Sequence, residues 1–166
     1  ARLPGARVRF VAAQPGPVTA DTGMLTVVAE AAYASIEQAD VLVVPGAPMS
    51  ALPLGDEALL AWLRRIDEGS TWTCSVCTGA LILGAAGLLA GKRATTHWAS
   101  HASLAQYSAL PVRERVVFDG KLVTGAGVTA GYDLALHLAA RIAGPIVAQA
   151  IQLGLEYAPE PPFASG

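Results

Sequence analysis

No cluster of lysine or arginine, no apolar stretch of membrane-spanning length and only two cysteines occur in this sequence. Each absence removes a class of function. With a net charge of −2 and no basic patch, the chain has no footprint for a phosphate backbone, so no nucleic-acid partner is expected. The longest apolar stretch, Ala80 to Ala90, is broken by Gly84 and Gly87. A bilayer needs about 20 residues, so no membrane span is expected. No charged-then-apolar leader opens the chain. Two cysteines without a secretory signal point to a reducing cytoplasm rather than a disulfide framework.

What is present is apolar side chain: 53% of residues are hydrophobic and only 14% charged. That balance fits elements buried on both faces, as in a parallel sheet covered by helices. A length of 166 residues suits one domain, able to bury roughly 70% of its unfolded surface. The chain opens Ala-Arg-Leu-Pro-Gly without an initiator Met and closes Phe-Ala-Ser-Gly; both ends read as cut.

Arg7 to Ala13 reads as a strand. Val18 to Val28 alternates weakly around Asp21-Thr22-Gly23, a hairpin or an irregular excursion. Asp40 to Val44 is a buried parallel strand ended by Pro45-Gly46. Gly55 to Glu68 has Leu59, Leu60, Leu63 and Ile66 at helical spacing, with Asp56 and Glu57 at its start. Thr71 to Val76 is a strand running straight into a helix, Thr78 to Ala90, with Gly91 as its stop. Arg93 to Thr96 is extended and Ala99 to Ala109 helical. Val116 to Phe118 and Lys121 to Thr124 flank Asp119-Gly120, a two-residue hairpin signal. Ala130 to Ala143 is an amphipathic helix, Pro145 opens a last helix to about Glu156, and Pro159 to Phe163 is a packed strap. Strands alternating with helices make an open α/β sheet. No repeat, linker or low-complexity segment interrupts them.

Chemistry concentrates at Ser75-Val76-Cys77-Thr78-Gly79. A strand meets a helix there with no room for a loop. The corner lies at the carboxyl end of the sheet, where open α/β proteins place their sites. The first N–H groups of the helix favour an anion, hence a thiolate nucleophile at Cys77. The arrangement is that of a hydrolase nucleophile elbow with Cys for Ser. On spacing alone, Cys77 is equally well a small buried hydrophobe. Cys74 and Cys77 form a C-x-x-C, which suggests a redox pair or half a metal site. Cys74, however, lies inside the strand on the other face, and His97 and His101 make no familiar zinc spacing. No metal is expected, and Cys74 reads as core. The turn Pro45-Gly46-Ala47-Pro48 ends a buried strand, either as an ordinary turn or as a donor of N–H groups to developing charge. His97, at the end of the next strand, is within plausible reach of the thiol or is structural. His101 and His137 read as structural or surface residues. Asp21 and Asp133 have nothing beside them to mark a role.

Three blocks carry a resemblance: CTGALILGAAGLLAGKRATTHW (Cys77 to Trp98), VVFDGKLVTGAGVTAGYDLALHLAARIAG (Val116 to Gly144) and AQAIQLGLEYAPEPPF (Ala148 to Phe163). Together they resemble the ThiJ/PfpI superfamily, and within it the isonitrile (isocyanide) hydratases. The resemblance implies a single domain over residues 1–166. Its fold is flavodoxin-like and class I glutamine amidotransferase-like: an open, mostly parallel sheet with helices on both faces, here lacking its first strand and helix. It implies a cofactor-free lyase that adds water to an isocyanide to give an N-substituted formamide, and a homodimer. Cys77 matches the nucleophile. Thr78 matches the substrate-facing position after it, and Gly46-Ala47 matches the strand-ending turn, where many relatives have a second Gly. His97 matches a His near the nucleophile in several branches. The proton donor in relatives is an acidic residue of an N-terminal strand-turn-helix segment, placing the general acid outside this chain. Two other functions are compatible with the fold. One is a ligand-sensing domain of a transcription regulator, which carries a helix-turn-helix domain. The other is a glyoxalase or deglycase, many of which have His where Thr78 stands.

Overall fold

The computed structural model of the protein describes Leu3 and residues 5–164. The described residues fall into two compact units, residues 8–134 and a second made of the remainder. The first holds ten strands: β1 (Val11–Ala12), β2 (Gly16–Thr19), β3 (Thr26–Ala29), β4 (Ala31–Ala32), β5 (Val41–Val44), β6 (Trp72–Val76), β7 (Arg93–Ala94), β8 (Leu110–Pro111), β9 (Val116–Asp119) and β10 (Leu122–Gly125). Helices α1 (Glu57–Gly69) and α2 (Gly79–Ala85) lie between β5 and β7 in sequence. Helix α3 (Ala130–Ala143) begins in the first unit, and α4 (Pro145–Gly154) belongs to the second.

The central sheet runs β5-β6-β10-β9. β5 and β10 each pair parallel to β6, while β9 pairs antiparallel to β10. The result is a mixed, mainly parallel α/β sheet. Register and alternation assign its faces. Leu42 and Val44 of β5, Thr73 and Ser75 of β6 and Leu122 of β10 share one side. Leu42, Val44 and Leu122 pack there with Leu63 and Ile66 of α1 and with Leu81 and Leu83 of α2. Cys74, Val76, Val123 and Gly125 take the other side. The first turns of α3 approach that side, with the Leu134 side chain close to Gly125 and Gly131 opposite Val76.

Helix α1 forms as the spacing predicts. The Asp56 carboxylate accepts the Leu59 N–H, satisfying one free donor of the first turn. Tyr33 and Ile36 precede the sheet and anchor this helix. The Tyr33 ring tilts against Trp62, and Trp62 Nε1 donates to the Ile36 carbonyl.

Several expectations change. The strand expected over Arg7 to Ala13 reduces to Val11–Ala12, paired parallel with β4. Val18 to Val28 does form a hairpin, β2 against β3. Val43 in the expected buried strand faces away from α1 and α2 and is 53% exposed. Helix α2 ends at Ala85, not near Ala90. Gly87 at φ 81° terminates it, with the Leu88 N–H on the Leu83 carbonyl and the Gly87 N–H on Gly84. This is the Schellman stop that glycine permits, one glycine earlier than Gly91. Residues 98–107 form a 3-10 helix. The β9–β10 turn is Gly120-Lys121, because Asp119 pairs with Leu122. Asp119 is therefore a strand residue, and its carboxylate accepts the Arg93 N–H. Helix α3 has the expected bounds, and Gly144 at φ 87° separates it from α4. The expected strap is not packed: residues 159–163 are exposed.

Candidate active site

The corner after β6 is as tight as the sequence requires. Cys77 has φ 58°, the left-handed region that a residue other than glycine enters at a cost of about 1–3 kcal/mol. Two bonds hold it there. Its N–H donates to the Gly125 carbonyl (3.1 Å), and its carbonyl accepts the Thr96 hydroxyl (2.8 Å). The first tie comes from β10 and the second from the segment after β7. Thr96 is buried, and the Thr95 N–H beside it donates to the buried Thr124 hydroxyl (2.9 Å).

The turn after β5 packs directly on this corner. A Cβ at Gly46 would sit 2.6 Å from Thr78 Oγ1, 2.7 Å from the Thr78 nitrogen and 3.0 Å from Cys77 Cβ. At Gly79 it would strike the carbonyls of Val44 and Pro45. Both glycines permit this close approach. Thr78 Oγ1 locks the contact by donating to the Ala47 carbonyl (2.6 Å) and accepting the Ala47 N–H (2.9 Å). The Ala47 N–H, expected to face developing charge, is thus already engaged by Thr78. The Thr78 hydroxyl grips this turn rather than capping its own helix.

A cavity of about 560 Å³ opens over the corner. It is lined by turn residues 45–49, corner residues 76–78, His97, Ala99, Ser100, Val128 and Asp21. Cys77, Thr78, Gly46, Ala47 and His97 therefore share one cavity, although they come from three separate stretches of chain. His101 and His137 are not part of its lining, and Asp133 bonds Arg115 instead. His97 Nδ1 accepts the Ala99 N–H (3.3 Å), which leaves Nε2 as the N–H of the neutral ring. The Ser100 hydroxyl contacts the Met49 sulfur at 3.6 Å, joining the turn to the 3-10 helix. Thr96, Met49, Ser100 and Val128 carry no mark in the sequence, although Thr96 sits directly before His97.

The two cysteines separate cleanly. Both are free. Cys74 has no exposure, and burial pushes its thiol up to about 12, so it stays protonated and inert. Cys77 is partly exposed and reaches the cavity. Among the described residues, no three His, Cys, Asp or Glu side chains are grouped to hold a metal ion. None of the helices described is long and apolar enough to cross a membrane.

Comparison with known proteins agrees with this geometry. The family model described as the DJ-1/PfpI family matches residues 2–141. An isonitrile hydratase from Pseudomonas putida is 48% identical over 166 residues, covering 100% of this chain and 72% of that protein. The HTH-type transcriptional regulator CdhR from Pseudomonas aeruginosa is 38% identical over 144 residues, 86% of this chain and 42% of the regulator. The crystal structure of a ThiJ/PfpI family protein from Pseudomonas syringae superposes with a TM-score of 0.93 at 41% identity, covering 99% of this chain and 69% of that one. With a corner cysteine, a glycine turn locked upon it and a family match across most of its length, the chain belongs to the DJ-1/PfpI family.

Proposed function

We propose that this protein is an isonitrile hydratase that converts R–N≡C and water to the formamide R–NH–CHO. The observation that carries this reading is 48% identity to the Pseudomonas putida hydratase across the whole chain. The site supports it chemically, because the substrate carbon accepts a thiolate once that carbon also receives a proton.

Cys77 is the nucleophile. Its thiolate adds to the isocyanide carbon while a proton reaches the same carbon, forming the thioimidate R–N=CH–S–Cys. Water then adds to that carbon as a proton passes to nitrogen. The tetrahedral adduct expels the Cys77 thiolate and, after loss of the water-derived proton, releases formamide. Thr78 keeps the Gly46-Ala47 turn against the corner, so the reacting carbon meets a fixed wall. His97 lines the same cavity. The working form is a cytoplasmic homodimer without a bound cofactor, and a stable monomer in sedimentation would count against that assembly.

The reaction is tested by formamide production from cyclohexyl isocyanide, comparing the native chain with Cys77→Ser. Formamide from the native chain and none from the variant supports the assignment. No formamide from either removes it. A second reading, ligand sensing, rests on the similarity to the CdhR regulator. It predicts isocyanide binding or covalent capture without turnover in the same assay.

A further inference from the structure

Asp21 joins the cavity from far away in sequence. It sits in the β2–β3 connection, where the Ala20 N–H bonds the Leu25 carbonyl (2.8 Å) and the Gly23 N–H bonds the Ala20 carbonyl (2.9 Å). Gly23 at φ 72° makes that tight loop possible, and the Met24 N–H leans on the Thr22 hydroxyl (3.4 Å). The tip is therefore a built turn that presents Asp21 to the cavity over Cys77.

Among the described residues lining the cavity, Asp21 is the one carboxylate and no Lys or Arg accompanies it. None of the ion pairs found among the described residues involves it. Much of the remaining wall is apolar, including Pro45, Pro48, Met49, Val76 and Val128. A carboxylate at such a wall repels an incoming anion and leaves a neutral apolar group unopposed.

We infer that Asp21 is a specificity residue whose carboxylate biases the Cys77 cavity against anionic substrates, so that neutral isocyanides are taken in preference to carboxylate-bearing ones. The substrate class rests on the hydratase reading, whereas the charge filter does not.

Two measurements separate them. Cys77 is alkylated with iodoacetamide and with iodoacetate, reagents of similar size that differ by one negative charge, and modification is followed on the Cys77 peptide. The ratio of the two rates cancels any change in thiolate fraction. At low salt, Asp21→Asn should raise the iodoacetate-to-iodoacetamide ratio roughly three- to tenfold, the effect of one charge across a wet cavity. Asp21→Glu should keep the native ratio, and high salt should shrink the difference between native and Asn proteins. An unchanged ratio in Asp21→Asn overturns the proposal whatever the enzyme does. In parallel, kcat/KM is compared for isocyanoacetate and its neutral methyl ester. The variant should shift that preference toward the anion. Equal losses on both substrates would make Asp21 part of the proton chemistry and overturn the filter. If neither substrate gives formamide, the hydratase reading falls, and the alkylation ratio still decides the role of Asp21.

Discussion

A methyl group at residue 46 has nowhere to go, because Thr78 and Cys77 already occupy its space. The nucleophile corner is thus shaped by close contact, and one hydroxyl completes it. Replacing Thr78 with Val removes both bonds to Ala47 and leaves its N–H and carbonyl without that partner. The expected cost is about 1–3 kcal/mol of stability, read as a lower urea midpoint. Formamide production should fall with it, and Thr78→Ser should recover much of both because the hydroxyl remains. At this scale, part of the site is legible in the sequence. A strand that enters a helix without a loop exposes its corner residue, so Cys77 and its neighbours Thr78 and Gly79 stand out. The target of the Thr78 hydroxyl does not, since it lies on a turn brought in by a different strand. Asp21 is still less legible: a single carboxylate in a hairpin tip looks like any solvated turn residue until the hairpin is placed.

Among the elements, β7 is only two residues long, yet it leads into Thr96 and His97. Asp119 of β9 supports it by accepting the Arg93 N–H (2.9 Å) and pairing with Lys92 (3.5 Å). The Arg93 N–H, helped by Lys92, holds the Asp119 carboxyl below the usual carboxylate range. A depressed acid stabilises the fold above its unfolded value, about pH 4, and loses that contribution as pH falls through the folded value. Asp119→Asn should therefore lower stability at neutral pH and flatten the loss of stability in acid, measured by denaturant unfolding across pH. Formamide production should also drop as the β7 exit loosens. The element boundaries explain which expectations hold. Ala130–Ala143 has apolar periodicity with Gly144 as a stop, and its limits are as expected. For α2, two glycines compete to end the helix, and backbone hydrogen bonding at Gly87 decides it. At the β9–β10 hairpin, Asp-Gly marks the turn correctly, but the register admits Asp119 to the strand and moves the turn by one residue.

Over the molecule as a whole, the alternation of strands and helices predicts an α/β sheet, and the central sheet has that form. Sequence periodicity does not reveal that β5 is buried on one side while exposing Val43 on the other, because continuous apolar runs look alike in both cases. The sheet also carries a titratable group in its interior. Cys74 has its thiol raised to about 12 by burial. A raised thiol contributes fully below its ordinary value of 9.0 and loses that contribution as pH rises toward 12. Urea unfolding at about pH 8 and about pH 10.5 should show a larger alkaline loss for the native protein than for Cys74→Ala. Equal losses would place the alkaline sensitivity elsewhere.

The bond from the Cys77 N–H to the Gly125 carbonyl makes the corner a gauge of strand alignment. Gly125 stands beside Val76 only when β10 meets β6 in the native register. A shift by one residue would bring Thr124 or Ala126 to that place and turn the neighbouring side chains to the opposite face. Helix α2, the 3-10 helix and three strands separate the two partners in sequence. The corner therefore cannot be completed locally, and a chain that has collapsed with its strands misaligned is inert at this cysteine. Catalytic competence arrives with the finished sheet, which lets the appearance of activity during refolding time the closure of β6 on β10.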